Sequence, residues 1–129
     1  MLACEKSFGE RSFGHAKLGD KRRTLRLVRI ANQMVHRPGG SLSEKINSPN
    51  DLKAMYRLLD CEEVTHEAIM EAHQIYLLKE VLPSREGFAL VIHDTTEFDY
   101  TKKRSLQGLG QIGSGHRRGY LAHNSLVVC

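Results

Sequence analysis

At 129 residues, 40% hydrophobic and 26% charged, the chain has a globular composition, and its longest apolar runs fall far short of the roughly 18 residues that a bilayer helix needs. The start, Met1-Leu2-Ala3-Cys4-Glu5-Lys6, lacks the apolar core of a signal peptide, which argues against secretion. Three widely spaced cysteines, Cys4, Cys61 and Cys129, fit neither a disulfide framework nor a zinc knuckle, so the expected setting is the reducing cytoplasm, with no membrane partner.

The net charge of +4 hides a strong asymmetry. Residues 1–60 carry 12 Lys/Arg against 6 Asp/Glu, residues 61–100 carry 2 against 9, and residues 101–129 carry 5 against none. Two basic stretches thus flank an acidic middle. Basic stretches attract polyanions through phosphate contact and counterion release, although a charge run is also what an ordinary solvated face looks like.

In chain order, the first predicted element is a helix from Lys21 to His36, capped by Asp20 and ended by Arg37-Pro38-Gly39-Gly40. Leu27, Ile30, Ala31, Met34 and Val35 recur at helical spacing as its core-facing stripe. Arg22, Arg26, Arg29 and Gln33 form a second row, with no acidic residue three or four positions away to pair with the arginines within the helix. Arginine is suited to bidentate phosphate contact, so this row, flanked by Lys21 and Arg23, is a candidate nucleic-acid face. A Gly/Ser-rich link, Gly39–Ser43, precedes a second helix opened by Ser48 as cap and Pro49 at the first position, with Asp51 suited to its positive end. Leu52, Met55, Tyr56 and Leu59 are its predicted buried side, with Lys53 and Arg57 one turn apart outside. A third helix is predicted from Thr65 to Leu82, with Ala68, Ile69, Ala72, Ile75 and Tyr76 inward and a glutamate-rich surface that would repel DNA.

Pro83–Gly87 punctuates a change of structure, and Phe88-Ala89-Leu90-Val91-Ile92 reads as a strand buried on both faces, ending in His93-Asp94-Thr95-Thr96. A carboxylate at the exit of a buried strand requires a partner. One candidate is a divalent metal, of the kind that clamps the attacking and leaving oxygens in phosphoryl transfer; another is simply the amides of an Asp-Thr turn. Gly108–Gly113 fits G-x-G-x-x-G, but it neither follows a buried strand nor opens a helix, so a dinucleotide role is rejected. Lys102-Lys103-Arg104 and His116-Arg117-Arg118 flank this loop, as a DNA contact or as a free solvent loop, before a second strand from Tyr120 to Val128.

Taken in order, several segments resemble the insertion-sequence-four group of transposases, and within it the Tn-five-type enzymes. Phe13 to Val28 (FGHAKLGDKRRTLRLV) is similar to that group's F-x-x-A-x-L-G-D-x-R-R-x-x-R-L-V opening. Gly40-Ser41-Leu42-Ser43, Ala54-Met55-Tyr56-Arg57-Leu58-Leu59, Val91–Thr96, Leu109–Gly113, Arg118-Gly119-Tyr120 and His123–Val127 follow in the same order. The resemblance implies an α+β chain: a helical DNA-binding domain over residues 1–62, then over 63–129 the first strands of an incomplete ribonuclease-H-like catalytic core. It implies double-stranded DNA, the transposon inverted repeat, as partner, and a homodimer for the full-length enzyme. It places Asp94 as the first metal-ligating carboxylate of a D-D-E triad, catalytic with Mg²⁺ or Mn²⁺. Arg22, Arg23, Arg26, Arg29, Ser41, Ser43, Lys53 and Arg57 are the expected DNA-binding residues, combining the resemblance with the exposed basic faces. The second Asp and the Glu of the triad are expected beyond Cys129. The chain alone is therefore expected not to cut DNA, as a fragment, a remnant or one part of a split enzyme; a non-catalytic regulator occupying transposon ends is the alternative.

Overall fold

Helix α2, Lys21–His36, begins where Asp20, in extended conformation, accepts a hydrogen bond from the Arg22 amide at 2.8 Å. Leu27, Ile30 and Ala31 on it are buried and Met34 packs beside them, whereas Val35 is 48% exposed. At about 100° per residue Val35 lies roughly a quarter-turn off the centre of that stripe, which is why it escapes the core. Helix α4, Pro49–Leu59, is capped by Ser48, and α5, His66–Tyr76, by Thr65, whose hydroxyl accepts from the Ala68 amide at 3.1 Å. The predicted third helix does not run regularly to Leu82: Leu77–Val81 is a wider π-type turn.

Two short helices were not anticipated. Helix α1, Phe8–Phe13, is set by a capping box in which Ser7 and Glu10 bond each other's backbone amides, and α3, Leu42–Lys45, by the same Ser-x-x-Glu arrangement of Ser41 and Glu44. Asn32 of α2 holds α1 in place, accepting from the Gly9 amide at 2.8 Å and donating to Ser7 Oγ at 3.0 Å. The approach is close enough that a Cβ on Gly9 would collide with the Val28 carbonyl. The core gathers Ala16 and Leu18 from the loop after α1, the α2 stripe, Ile46, Met55 and Leu58, Val64 and Ala72.

The computed structural model describes residues 5–129 and divides into two units, one running to Ser84 and the other from Arg85 to Cys129. The boundary by compactness thus falls after α5 rather than at 62/63, because Ala68, Ile69 and Ala72 of α5 pack into the first unit's core. Cys61 and Cys129 are free thiols, and Cys4 lies outside the described residues. Among those residues no helix is long and apolar enough to cross a membrane.

The second unit is a three-stranded antiparallel sheet in the order β1–β3–β2. Strand β1, Leu90–Asp99, pairs along its whole length with β3, Arg118–Val128, and β2, Gly110–Gln111, joins only the start of β3. Gly119 sits where a Cβ would strike the Phe98 carbonyl, so the hairpin closes only around glycine there. With its helices and this antiparallel sheet the chain is mixed α and β. The expectation of a strand buried on both faces is overturned: every residue of β1 is exposed, and Phe88 is 97% exposed. A continuous apolar run signals two-sided burial only where layers cover both faces, and the unit from Arg85 to Cys129 contains no element besides the sheet to supply one.

Candidate nucleic-acid interface

The arginine row on α2 has acidic partners after all, supplied from a different helix. Asp51, at the third position of α4, takes Arg26 Nη1 on Oδ1 at 3.1 Å, and on Oδ2 it takes Arg29 Nη2 at 2.8 Å and Gln33 Nε2 at 3.1 Å. Its side chain is 10% exposed, and the hydrogen bond from Gln33, ahead of the charges of Arg29 and Arg26, holds its carboxyl below the ordinary value against the opposing effect of burial. Arg22 turns back on its own helix cap, donating to Asp20 Oδ2 at 2.9 Å; that bond and the Arg22 amide bring the Asp20 carboxyl down to about 2. Arg23 donates to the Leu18 carbonyl at 2.9 Å and pairs with Glu63 at 3.1 Å. The row is therefore not a free guanidinium stripe. Even so, Arg29 remains 61% exposed, and Arg26 and Arg29 each touch Asp51 through a single nitrogen.

The remaining expected residues divide into two kinds. Ser41 and Ser43 are exposed and face each other with hydroxyls 3.0 Å apart, while the Ser41 amide is taken by Glu44 at 2.5 Å in the α3 cap. Lys53 and Arg57 are exposed on the outward face of α4 with no side-chain partner among the described residues. The face between them differs from expectation. Tyr56 and Leu59, expected inside, are 55% and 52% exposed, and Leu58, which was not expected there, is buried with Met55. A shallow surface depression bounded by Pro49, Leu52, Lys53, Tyr56, Arg57, Leu59 and Asp60 results. The signal available in the sequence was Asp51: once it points inward, 55 and 58 follow at helical steps and 56 and 59 are turned out.

On the sheet, Asp94 lies at mid-strand rather than at a strand exit, because Thr95–Asp99 continue the ladder opposite Gly119–His123. It is exposed, stands opposite Asn124 and accepts from Thr96 Oγ1 at 3.3 Å. No group of three His, Cys, Asp or Glu able to hold a metal occurs among the described residues. On the opposite face His93 and His123 stack at 5.4 Å, each with its Nδ1 on a hydroxyl at 2.8 Å, Ser125 and Thr95 respectively. In the basic loop, Arg117 is tied to Glu97 and Asp99, both at 3.1 Å, and no helix follows the Gly108–Gly113 segment.

Residues 5–64 match a family model described as Transposase DNA-binding. The match covers just under half of the chain, ends close to the expected boundary at 62, and contains α1 to α4 with all eight expected DNA-binding residues. The N-terminal part of the chain is therefore similar to the DNA-binding domain of transposases.

Proposed function

We propose that the helical unit binds duplex DNA at a transposon end, as the end-recognition part of a cut-and-paste transposase of the insertion-sequence-four kind. The observation that carries this reading is the outward face of α4, where Lys53 and Arg57 lie without a side-chain partner among the described residues beside an exposed Tyr56, inside the region matched by the family model. Two unpaired cations one turn apart suit phosphates, and an exposed tyrosine adds apolar contact and a hydroxyl for the backbone or a base edge. Helix α4 is held rigidly for this role, since its inward side is fixed by Met55, Leu58 and the Asp51 cluster.

Within the same reading Asp94 is one carboxylate of a Mg²⁺ or Mn²⁺ site in a ribonuclease-H-like core whose other ligands are not among the described residues, and the assembled enzyme acts as a dimer bridging two ends. Because Asp94 stands without such ligands here, a non-catalytic protein that occupies transposon ends is the second reading. Both require DNA binding by the helical unit. Affinity for a labelled duplex, measured over a series of salt concentrations, should fall linearly on a log–log scale, and Lys53→Ala with Arg57→Ala should reduce that slope by about 2, one per lost phosphate contact. Salt-independent or absent binding overturns the proposal.

A further inference from the structure

We infer that Asp51 is a positioning residue for DNA phosphate: its carboxylate fixes the guanidiniums of Arg26 and Arg29 so that their remaining N–H groups meet the backbone. The inference rests on the DNA-binding reading above and adds to it a contact made by α2, not α4. One carboxylate receives two arginines and a glutamine amide, at 3.1, 2.8 and 3.1 Å, which leaves the cluster with a net positive charge. The exposures are graded. Asp51 is 10% exposed, Arg26 35% and Arg29 61%, so a polyanion approaching from solvent meets guanidinium edges and not the acid beneath them. An arginine has five N–H donors in a rigid fork, and Asp51 occupies one nitrogen of each, so both retain donors for phosphate. A free arginine must surrender its rotamer freedom on binding, whereas one already tethered does not. Gln33 completes the arrangement by donating from Nε2 to Asp51 Oδ2, the oxygen that Arg29 also binds, while its Oε1 has no hydrogen-bond partner among the described residues.

The sign of one substitution separates this from simpler roles. Asp51→Asn retains shape and removes a negative charge close to the site. If Asp51 were merely an unfavourable charge near DNA, or a competitor for the arginines, neutralising it would strengthen binding. Positioning predicts that affinity of the full chain for a mixed-sequence duplex falls by about tenfold and that the salt slope becomes shallower by about 1, one phosphate contact. A purely structural role leaves the slope unchanged and affinity unaffected at temperatures where circular dichroism shows the variant folded. Equal or tighter binding by folded Asp51→Asn overturns the inference, as does weaker binding at an unaltered slope. Should Asp51→Asn not fold, Arg29→Lys decides: it maintains the charge and a bond to Asp51 but loses the fork, and should bind about fivefold more weakly, wild-type affinity being the overturning result. If wild-type protein shows no salt-dependent binding at all, the DNA-binding reading itself has failed, which is a different outcome from either variant result.

Discussion

Met55 and Tyr56 are chain neighbours on α4, yet one is 2% and the other 55% exposed, and the two should respond to truncation in opposite ways. Met55→Ala removes side-chain volume from a closed core and is expected to cost roughly 2–5 kcal/mol in urea denaturation. Tyr56→Ala touches no core contact, should change stability by no more than about 0.5 kcal/mol, and should instead lower affinity for DNA. Acid titration tests the carboxylates on α2 and α4. Asp51 and Asp20 both have folded values below their ordinary ones, so their contribution is complete above the ordinary value near 3.8 and disappears as pH falls through the folded value, about 2 for Asp20. Melting temperature should therefore decline on acidification below about pH 5, and Asp20→Asn, which preserves a capping side chain, should lose stability at neutral pH but match wild type near pH 2. An equal deficit at both pH values would mean that the Asp20 charge contributes nothing.

At the scale of elements, what was legible followed local chemistry. Asp20, Ser48-Pro49 and Thr65 are caps written within a residue or two of the helices they begin, and the starts of α2, α4 and α5 follow from them. Helices α1 and α3 span 6 and 4 residues, too short for an apolar period, but Ser7-x-x-Glu10 and Ser41-x-x-Glu44 are capping boxes and were the available signal. The partner of the arginine row was not legible, because Asp51 lies 25 and 22 residues from Arg26 and Arg29 and only the packing of α2 on α4 joins them. The sequence rule used for the row looks three and four residues along one helix and cannot see across two. The α1–α2 contact is similarly tertiary, and it rests on a glycine. Gly9→Ala would press a Cβ into the Val28 carbonyl and separate Asn32 from the Gly9 amide. The expected cost is about 1–3 kcal/mol, as for other overpacked contacts, readable as a lower urea midpoint; an unchanged midpoint would show that α1 docks loosely.

At the scale of the whole chain, the two units differ in how they are stabilised. The helical unit encloses a core drawn from α2, α4, α5 and the loops before and between them, whereas the sheet exposes Leu90, Ile92, Phe98, Tyr120, Leu126 and Val128 along one face, with Ile112 as its sole buried apolar side chain among the described residues. A β-ribbon without a covered face is marginally stable in water, since backbone pairing alone does not offset the conformational entropy lost. This is also why Asp94 stands exposed at mid-strand: an apolar run records the environment in which a strand is stable, and the sheet described here does not supply that environment. Native-state hydrogen exchange on the full chain should separate the two. Amides of α2 and α4 should exchange only through global opening, while those of β1 and β3 should exchange faster by orders of magnitude despite their continuous ladder. Such a bare ribbon, ten residues long at the β1 edge, is also a template for pairing between chains. Ile92→Lys, which places a charge within the apolar patch of Leu90, Leu126 and Val128, should then reduce concentration-dependent association in light scattering without altering DNA affinity. If β1 and β3 were instead protected as strongly as α2, something would have to cover the sheet, and its two-sided apolar sequence would then be read as first expected.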